Sequence, residues 1–296
     1  MAKLIIFSLK LESNPNPILL KKSLLTLSVS LCYIAHPIFA QSLREHVSAV
    51  YLGLASYSNV HTDAFSFTNN QAALVKAKIA EAGFYSERRF LLKETTVYDA
   101  AMVLPSKSGN FGVNLVYAGF EDFNETQFGL AYAVDLGPKI DIGVQFNYYG
   151  YRIPGYTNAN TVDFEVGAIT HLTNKLNAGF HVYNPVGGKF FKSNEKLTAV
   201  YKFGFGYDVS DAFFASAEIV KEENFSASIN AGLQYRFDKI LFARVGIASA
   251  TSTPYVGVGV AWDTFRIDVS CSFHPELGIS PGLLFIANFG NTKKDE

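Results

Sequence analysis

The feature that most constrains this chain is a two-residue alternation of apolar and polar side chains. It recurs from Ile79 onward in segments of about ten residues. In residues 141–149, apolar and polar side chains alternate as Asp141, Ile142, Gly143, Val144, Gln145, Phe146, Asn147, Tyr148 and Tyr149. Successive side chains of a β-strand point to opposite faces, so each such segment predicts a strand with one apolar and one small or polar face.

About fourteen such segments follow one another, separated by turn-forming residues, and an even number is typical of single-chain bacterial barrels. The strands are predicted at 79–89, 95–104, 110–119, 126–135, 140–152, 161–171, 175–184, 198–208, 213–221, 226–237, 241–249, 254–262, 265–273 and 279–289. We therefore expect an all-β fold, a transmembrane up-and-down antiparallel β-barrel of about 14 strands.

The connections between these segments fall into two alternating sets. One set consists of tight turns, at 136–139, 173–174, 210–211, 238–239 and 263–264. The other set contains the longest loops, at 153–160 and 185–197. Outer-membrane barrels have short periplasmic turns and longer extracellular loops, so this parity predicts a periplasmic N-terminus.

Composition separates a membrane barrel from a soluble one. A soluble β-sandwich or lipocalin-like barrel also has alternating strands. Here only 17% of the residues are charged and 15% are aromatic, and the apolar faces are almost free of charge over many consecutive strands. After the N-terminus no stretch has the length of apolar sequence that a membrane helix needs. We expect a closed barrel in contact with the lipid of a Gram-negative outer membrane.

The N-terminal region resembles an export signal. Lys21 and Lys22 precede an apolar run over 24–35, and residues 38–40 before Gln41 resemble a signal-peptidase site. Residues 41–78 lack the alternation and are expected to fold into the lumen as a plug. The predicted organisation is a signal peptide at 1–40, a plug or periplasmic segment at 41–78, the barrel at 79–290 and a C-terminal tail at 291–296.

Charged side chains also occur on the predicted lumen face. These are Glu81, Glu87, Arg89, Asp99, Asp163, Glu165, Lys202, Glu218, Arg236, Arg244, Arg266 and Asp268. A charge that faces lipid costs about 2–4 kcal/mol near the middle of the bilayer. We expect these acids and bases to pair across the barrel and against the plug. The alternative is a polar path or binding surface.

Catalytic and metal-binding motifs are missing from the sequence. It contains no Gly-x-Ser-x-Gly elbow, no His-Glu-x-x-His, no phosphate-binding glycine loop and no paired cysteines for zinc. A net charge of −1 gives no reason to expect a nucleic-acid partner. We predict that the protein is not an enzyme and has no cofactor or metal.

One short run resembles a known motif. Residues 66–74 include Asn69, Asn70, Gln71, Ala72, Ala73 and Leu74. They resemble the "NNPAGL"-type motif shortly before the first strand of the FadL-like superfamily of outer-membrane proteins, which includes the PorV and PorQ group associated with type IX secretion. Gln71 stands where that pattern prefers Pro. Residues 87–94, 152–156 and 181–185 are similar to segments of PorV/PorQ-like chains.

The resemblance implies a fourteen-stranded barrel with an N-terminal plug. It also implies either the passage of hydrophobic compounds or the handling of secreted proteins at the cell surface. As an accessory of type IX secretion, the barrel would bind partner proteins through its extracellular rim, where Phe190 and Phe191 are the candidate contact. Those two side chains could instead insert at the lipid headgroups.

The alternative functions are a FadL-like transporter of hydrophobic small molecules and a structural barrel without activity. The transporter predicts an apolar cavity that is continuous with a gap in the barrel wall. Pro281 is the candidate position for such a gap, because proline removes a hydrogen bond between strands.

Overall fold

Residues 81–288 form a closed barrel of fourteen antiparallel strands. The computed structural model describes residues 51–290 except 156, 192–195 and 239, and it leaves the side chain at 157 undescribed. The predicted signal peptide, the first residues of the plug segment at 41–50 and the C-terminal tail all lie outside the described residues. The assignment of those segments stays a prediction.

Each strand pairs with its neighbours in the sequence, and the first strand pairs with the last from Glu81↔Asn288 to Glu87↔Gly282. This closure confirms the predicted up-and-down barrel. The strands are β1 (Glu81–Arg88), β2 (Thr96–Leu104), β3 (Asn110–Phe120), β4 (Phe123–Asp135), β5 (Ile140–Ile153), β6 (Thr157–His171), β7 (Leu176–Tyr183), β8 (Val200–Asp208), β9 (Phe213–Glu222), β10 (Ser228–Arg236), β11 (Leu241–Ala248), β12 (Thr253–Ala261), β13 (Phe265–His274) and β14 (Gly278–Asn288).

The outer face of the barrel is a continuous apolar surface. Alternate residues along the strands expose large apolar side chains, among them Phe84, Phe111, Leu130, Phe146, Val162, Phe180, Phe203, Ile219, Leu233, Val258, Val269 and Leu283. A soluble monomer rarely exposes so large an apolar area. The outer face therefore matches the lipid-facing band of a transmembrane barrel.

The two ends of the barrel differ in their connections. At one end, called here the turn end, every connection is short, and at the other, the loop end, lies the long connection 184–199. Outer-membrane barrels place their short turns in the periplasm. The second predicted long loop, 153–160, was wrong, because β5 and β6 continue pairing as far as Ile153↔Thr157, which leaves three residues between the two strands.

The long connection completes the wall where β7 is short. Strand β7 ends at Tyr183, although its neighbour β6 extends much further toward the loop end. The amide of Asn184 donates to the carbonyl of Phe164 at 3.0 Å, and the amide of Phe191 donates to the carbonyl of Asn160 at 2.9 Å. The connection thus supplies hydrogen bonds that a longer β7 would have made.

The wall is also closed at Pro281. Strands β13 and β14 pair through Cys271↔Pro281, and the register continues on both sides with Ser272↔Ser280 and Ser270↔Gly282. The gap predicted at this proline is therefore not present.

A chain segment of short helices fills the lumen. It contains a 3-10 helix at Leu54–Tyr57, an α-helical turn at Ser66–Asn69 and a 3-10 helix at Gln71–Lys76. Among the described residues, no helix is long and apolar enough to span a membrane. We call residues 51–80 the plug, because their side chains pack against the inward face of the wall.

Candidate functional site

Glycines on the inner wall make room for the plug. A Cβ atom added to Gly143 would lie 2.5 Å from the carbonyl carbon of Gln71, and one added to Gly257 would lie 2.5 Å from the Tyr51 ring. Both distances are far below van der Waals contact, so only glycine fits. The wall glycines that meet the plug in this way are Gly83, Gly112, Gly143, Gly167, Gly179, Gly204, Gly206, Gly232 and Gly257.

A buried ion-pair cluster ties the plug to the wall. Asp63 of the plug lies 3.0 Å from Arg266 of β13 and 3.5 Å from Arg244 of β11. Arg266 also pairs with Asp268 at 2.7 Å, and the guanidinium of Arg244 lies over the Tyr51 ring at 5.1 Å from its centre. We call Asp63, Arg244, Arg266 and Asp268 the arginine anchor. Its two acids and two guanidinium groups balance in charge.

Electrostatics at this anchor favour an ionised carboxyl. Burial alone would raise the pKa of Asp63, but Arg266 and Arg244, together with the backbone amide of Phe65, hold that pKa below its usual value. Next to the anchor, burial and the charge of Arg236 lower the pKa of His61 to about 4. At neutral pH His61 is therefore uncharged, and its Nδ1 accepts a hydrogen bond from Gln234 at 2.9 Å.

The motif at 69–74 docks on wall charges. Asn69 donates to Glu218 at 3.0 Å and accepts from Lys202 at 2.9 Å, while Gln71 donates to Glu165 at 2.7 Å. The structure therefore brings the plug motif together with part of the lumen charge set. Gln71 occupies the position where the FadL-like pattern prefers Pro, and it uses its amide as a wall contact that proline could not make.

Asn70 binds the main chain of the wall. Its side-chain amide donates to the carbonyls of Phe180 at 3.1 Å and Ala168 at 3.3 Å. Its Oδ1 accepts from the amide of Ala72 at 3.1 Å, which caps the helix that follows. The Ala72 and Ala73 side chains pack on Ile169, so the small residues of the motif lie where the plug is closest to β6.

A further anchor joins the end of the plug to the turn end. Lys76 pairs with Asp141 at 3.1 Å, and Asp141 also meets His171 at 2.8 Å. The predicted charge set contains none of these three residues, nor Asp63. Strand parity shows that Asp141 faces inward. It does not show that Lys76 of the plug lies at the same depth in the barrel as Asp141.

The other predicted charges also face the lumen but do not form one network. Glu87 accepts from Tyr85 at 3.0 Å and lies 3.9 Å from Arg89 near the loop end. Asp163 accepts from Asn147 at 2.9 Å. Glu81 and Arg236 are half-buried toward the turn end, and Asp99 is buried on β2. The predicted residues are thus distributed over the whole height of the lumen.

An apolar cluster lies on the loop side of the plug. It is formed by inward-facing residues of the wall together with side chains of the long connection: Val97, Val116, Ala118, Tyr149, Ala159, Tyr183, Phe190, Leu197, Val200 and Val220. Phe190 packs its ring 5.7 Å from that of Tyr149 and 5.2 Å from that of Tyr151. We call this set the upper apolar cluster.

The structure separates the two phenylalanines that the sequence joined as an extracellular contact. Phe190 is only 7% exposed and belongs to the upper apolar cluster, whereas Phe191 is 71% exposed. A buried ring cannot meet a partner at the rim, so Phe190 is corrected from a surface contact to a lumen residue. The polar alternation does not continue into this connection, and the sequence therefore could not indicate which ring turns inward.

A cavity lies between the plug and the wall at the turn end. Its volume is about 380 Å³, and its lining includes Asp63, Phe67, Leu74, Glu81 and Val103. It is therefore lined by both charged and apolar side chains. The plug separates this cavity from the upper apolar cluster.

Comparisons with known proteins identify the fold. No protein-family model matches the sequence, and no curated protein matches it significantly. Among solved structures, the CymD monoaromatic hydrocarbon channel superposes with a TM-score of 0.57 at 12% identity, over 80% of this chain and 99% of that one. The Ralstonia pickettii toluene transporter TbuX superposes with a TM-score of 0.59 at 11% identity, over 80% and 98%.

A Pseudomonas aeruginosa FadL homologue gives a TM-score of 0.58 at 10% identity, over 81% of this chain and 96% of that chain. At such identities the likeness concerns the fold. It covers nearly the full length of each matched chain, and the strand number and closure agree with it. The chain therefore has the fold of the FadL-type outer-membrane β-barrels.

Proposed function

We propose that this protein passes small hydrophobic molecules across the outer membrane through its plugged lumen, and not through a gap at Pro281, where the wall is closed. The observation that carries the proposal is the upper apolar cluster, which places a patch of aliphatic and aromatic side chains inside the barrel. The lumen of a water-filled channel is polar. An apolar patch on the loop side of the plug instead suits a guest molecule that water solvates poorly.

The cluster has the composition of a site for small apolar ligands. Such sites are lined mainly by hydrophobic and aromatic side chains, with a few polar groups that orient the ligand. Tyr149 and Tyr183 offer ring faces, and the Tyr183 hydroxyl donates to Asp163 at 2.9 Å. Burial of apolar surface contributes roughly 25 cal/mol per Å². The chemistry of these side chains therefore favours an apolar ring such as toluene, which needs no polar contact.

The turn end offers a cavity for the same guest. The cavity there has a volume of about 380 Å³, which lies within the usual range of about 300–1,000 Å³ for small-molecule sites. Phe67, Leu74 and Val103 contribute apolar surface to it. With apolar surface on both of its sides, the plug is the barrier that a guest must pass.

The names of two structural neighbours agree with this proposal. CymD is described as a monoaromatic hydrocarbon channel and TbuX as a toluene transporter. We accordingly test toluene first. Gram-negative cells without a channel of this type should take up toluene several-fold faster when they express the full chain. Uptake of a hydrophilic sugar should not change. If a correctly folded protein leaves toluene uptake at the level of the empty vector, the proposal fails.

Phe190 and Phe191 provide a matched pair for the apolar site. Phe190→Ala should lower toluene uptake several-fold, because it removes the ring that packs on Tyr149 and Tyr151. The loss of such a buried ring also costs about 3–5 kcal/mol of folding free energy. Phe191→Ala should alter neither quantity, since that ring is exposed. Uptake and the urea midpoint of unfolding in detergent are measured for both variants. If the two variants had the same toluene uptake, the upper apolar cluster would not be the binding site.

A role as a secretion accessory is a second candidate, favoured by exposed apolar side chains at the loop end. Val186 is 72% exposed and Phe191 71% exposed, and both lie on the long connection. A partner protein could cover them at the rim. Deletion of the gene should then change the set of proteins at the cell surface. If the surface proteome stayed intact, the accessory role would be excluded.

A further inference from the structure

Asp99 is a buried carboxyl without a hydrogen-bond or ion-pair partner among the described residues. It lies on β2, where alternate residues face the lumen, and it is 8% exposed. Its Oδ1 accepts no hydrogen bond, and Asp99 forms no ion pair with any residue that the structure describes. Buried polar groups are nearly always hydrogen-bonded, so an exception needs an explanation.

Other buried acids of the lumen have a partner for at least one carboxylate oxygen, even where the second oxygen has none, as in Glu87. Asp268 pairs with Arg266 at 2.7 Å, and Glu218 accepts from Tyr57 at 2.8 Å and from Asn230 at 3.0 Å. A buried polar group without a partner costs about 1–3 kcal/mol, and a charged one costs more. The wall thus provides partners for the acids that hold the plug and leaves Oδ1 of Asp99 without one.

The position of Asp99 links it to the upper apolar cluster. On its own strand the preceding inward residue is Val97, and directly opposite on β3 lies Val116, both members of that cluster. On the other side Asp99 is opposite Tyr85, whose hydroxyl already donates to Glu87. Asp99 therefore places an unused acceptor at the margin of an apolar surface.

We infer that Asp99 selects guests, accepting a hydrogen bond from a hydroxyl or amine group on a small hydrophobic molecule that packs against the upper apolar cluster. This inference rests on the proposed function and narrows its substrate class. A site built to hydrogen-bond a polar group discriminates strongly against an analogue without that group, because its own polar atom is then left buried and unpaired. The preferred guests are amphipathic aromatics, ahead of pure hydrocarbons.

A series of three ligands of nearly equal size tests the inference. Toluene has no donor, benzyl alcohol has a neutral donor and benzylamine has a cationic donor. Binding to the purified full chain in detergent micelles is measured by calorimetry, with empty micelles as the reference. At least one of the two donor ligands should bind about tenfold more tightly than toluene, equivalent to about 1.4 kcal/mol.

Two substitutions separate the acceptor from the charge. Asp99→Leu should abolish the preference for either donor ligand over toluene. Asp99→Asn keeps an acceptor oxygen without the charge, so it should retain a preference for benzyl alcohol and lose one for benzylamine. Asp122→Leu, at an exposed carboxylate of the β3–β4 turn, is the matched control and should change nothing. Heat-modifiable migration on gels verifies that each variant forms a barrel.

The outcomes distinguish the inference from the proposed function. An unchanged ligand preference in both Asp99 variants overturns the inference, even if cells still take up toluene. If Asp99→Leu removes the preference but cells take up none of the three ligands, the guest site stands and the proposed passage fails.

Discussion

Replacing Arg266 with methionine is expected to release the plug and to raise the ion conductance of the barrel in planar bilayers. Arg266 is the group shared by Asp63 of the plug and Asp268 of the wall, at 3.0 Å and 2.7 Å. Its loss would leave both carboxylates buried with only Arg244 nearby. Breaking a buried ion pair by removing one partner typically costs about 3–5 kcal/mol, and this cost favours an undocked plug.

Limited proteolysis provides a second measurement of the same change. Cleavage within the plug should accelerate at least tenfold in Arg266→Met, while the barrel itself stays resistant. The matched control is Lys196→Met, which breaks the exposed pair between Lys196 and Glu223 at 2.7 Å. Exposed pairs contribute only about 0–1 kcal/mol, so this variant should behave as the wild type. If Arg266→Met had the ion conductance and the cleavage rate of the wild type, the arginine anchor would not be what holds the plug.

Gly143→Ala should displace the plug helix Gln71–Lys76. The added Cβ would lie 2.5 Å from the carbonyl carbon of Gln71 and 2.7 Å from the amide nitrogen of Ala72, which are main-chain atoms that cannot rotate away. Overpacking of this kind typically costs about 1–3 kcal/mol. Hydrogen exchange of the peptide over 69–76 should therefore accelerate by one or more orders of magnitude.

The control for this steric effect is a glycine with space around it. A Cβ on Gly150, also in β5, would have its nearest neighbour at 3.5 Å, an ordinary contact. Gly150→Ala should leave the exchange of the plug peptide unchanged. If both substitutions left the exchange as in the wild type, the plug would not be seated against the wall as tightly as the glycines indicate.

Strand number and direction could be predicted from the sequence because both depend on local patterns. Lipid on one side and a small-residue lumen on the other impose a period of two on every strand. The prediction was less accurate where pairing extends into polar residues. At 153–160, Asn158 and Asn160 were taken as loop although they pair with Arg152 and Gly150.

Contacts between the plug and the wall could not be predicted in the same way. Alternation shows that Glu165 and Glu218 face inward, but their partners Gln71 and Asn69 lie far away in sequence and have no strand period. Their meeting depends on the depth at which the plug is seated. Each of the wall glycines that meet the plug lies against a plug atom and so indicates the depth of the plug. This depth can be inferred from the glycines only when the closed barrel is known.

Pairing of β1 with β14 also determines the order of assembly. The seam joins the first strand to the last, so the wall cannot close before the whole chain has arrived. The plug lies just before β1 and arrives first. Contacts so distant in sequence form slowly. The segment that obstructs the finished lumen is thus synthesised before every strand of the wall that surrounds it.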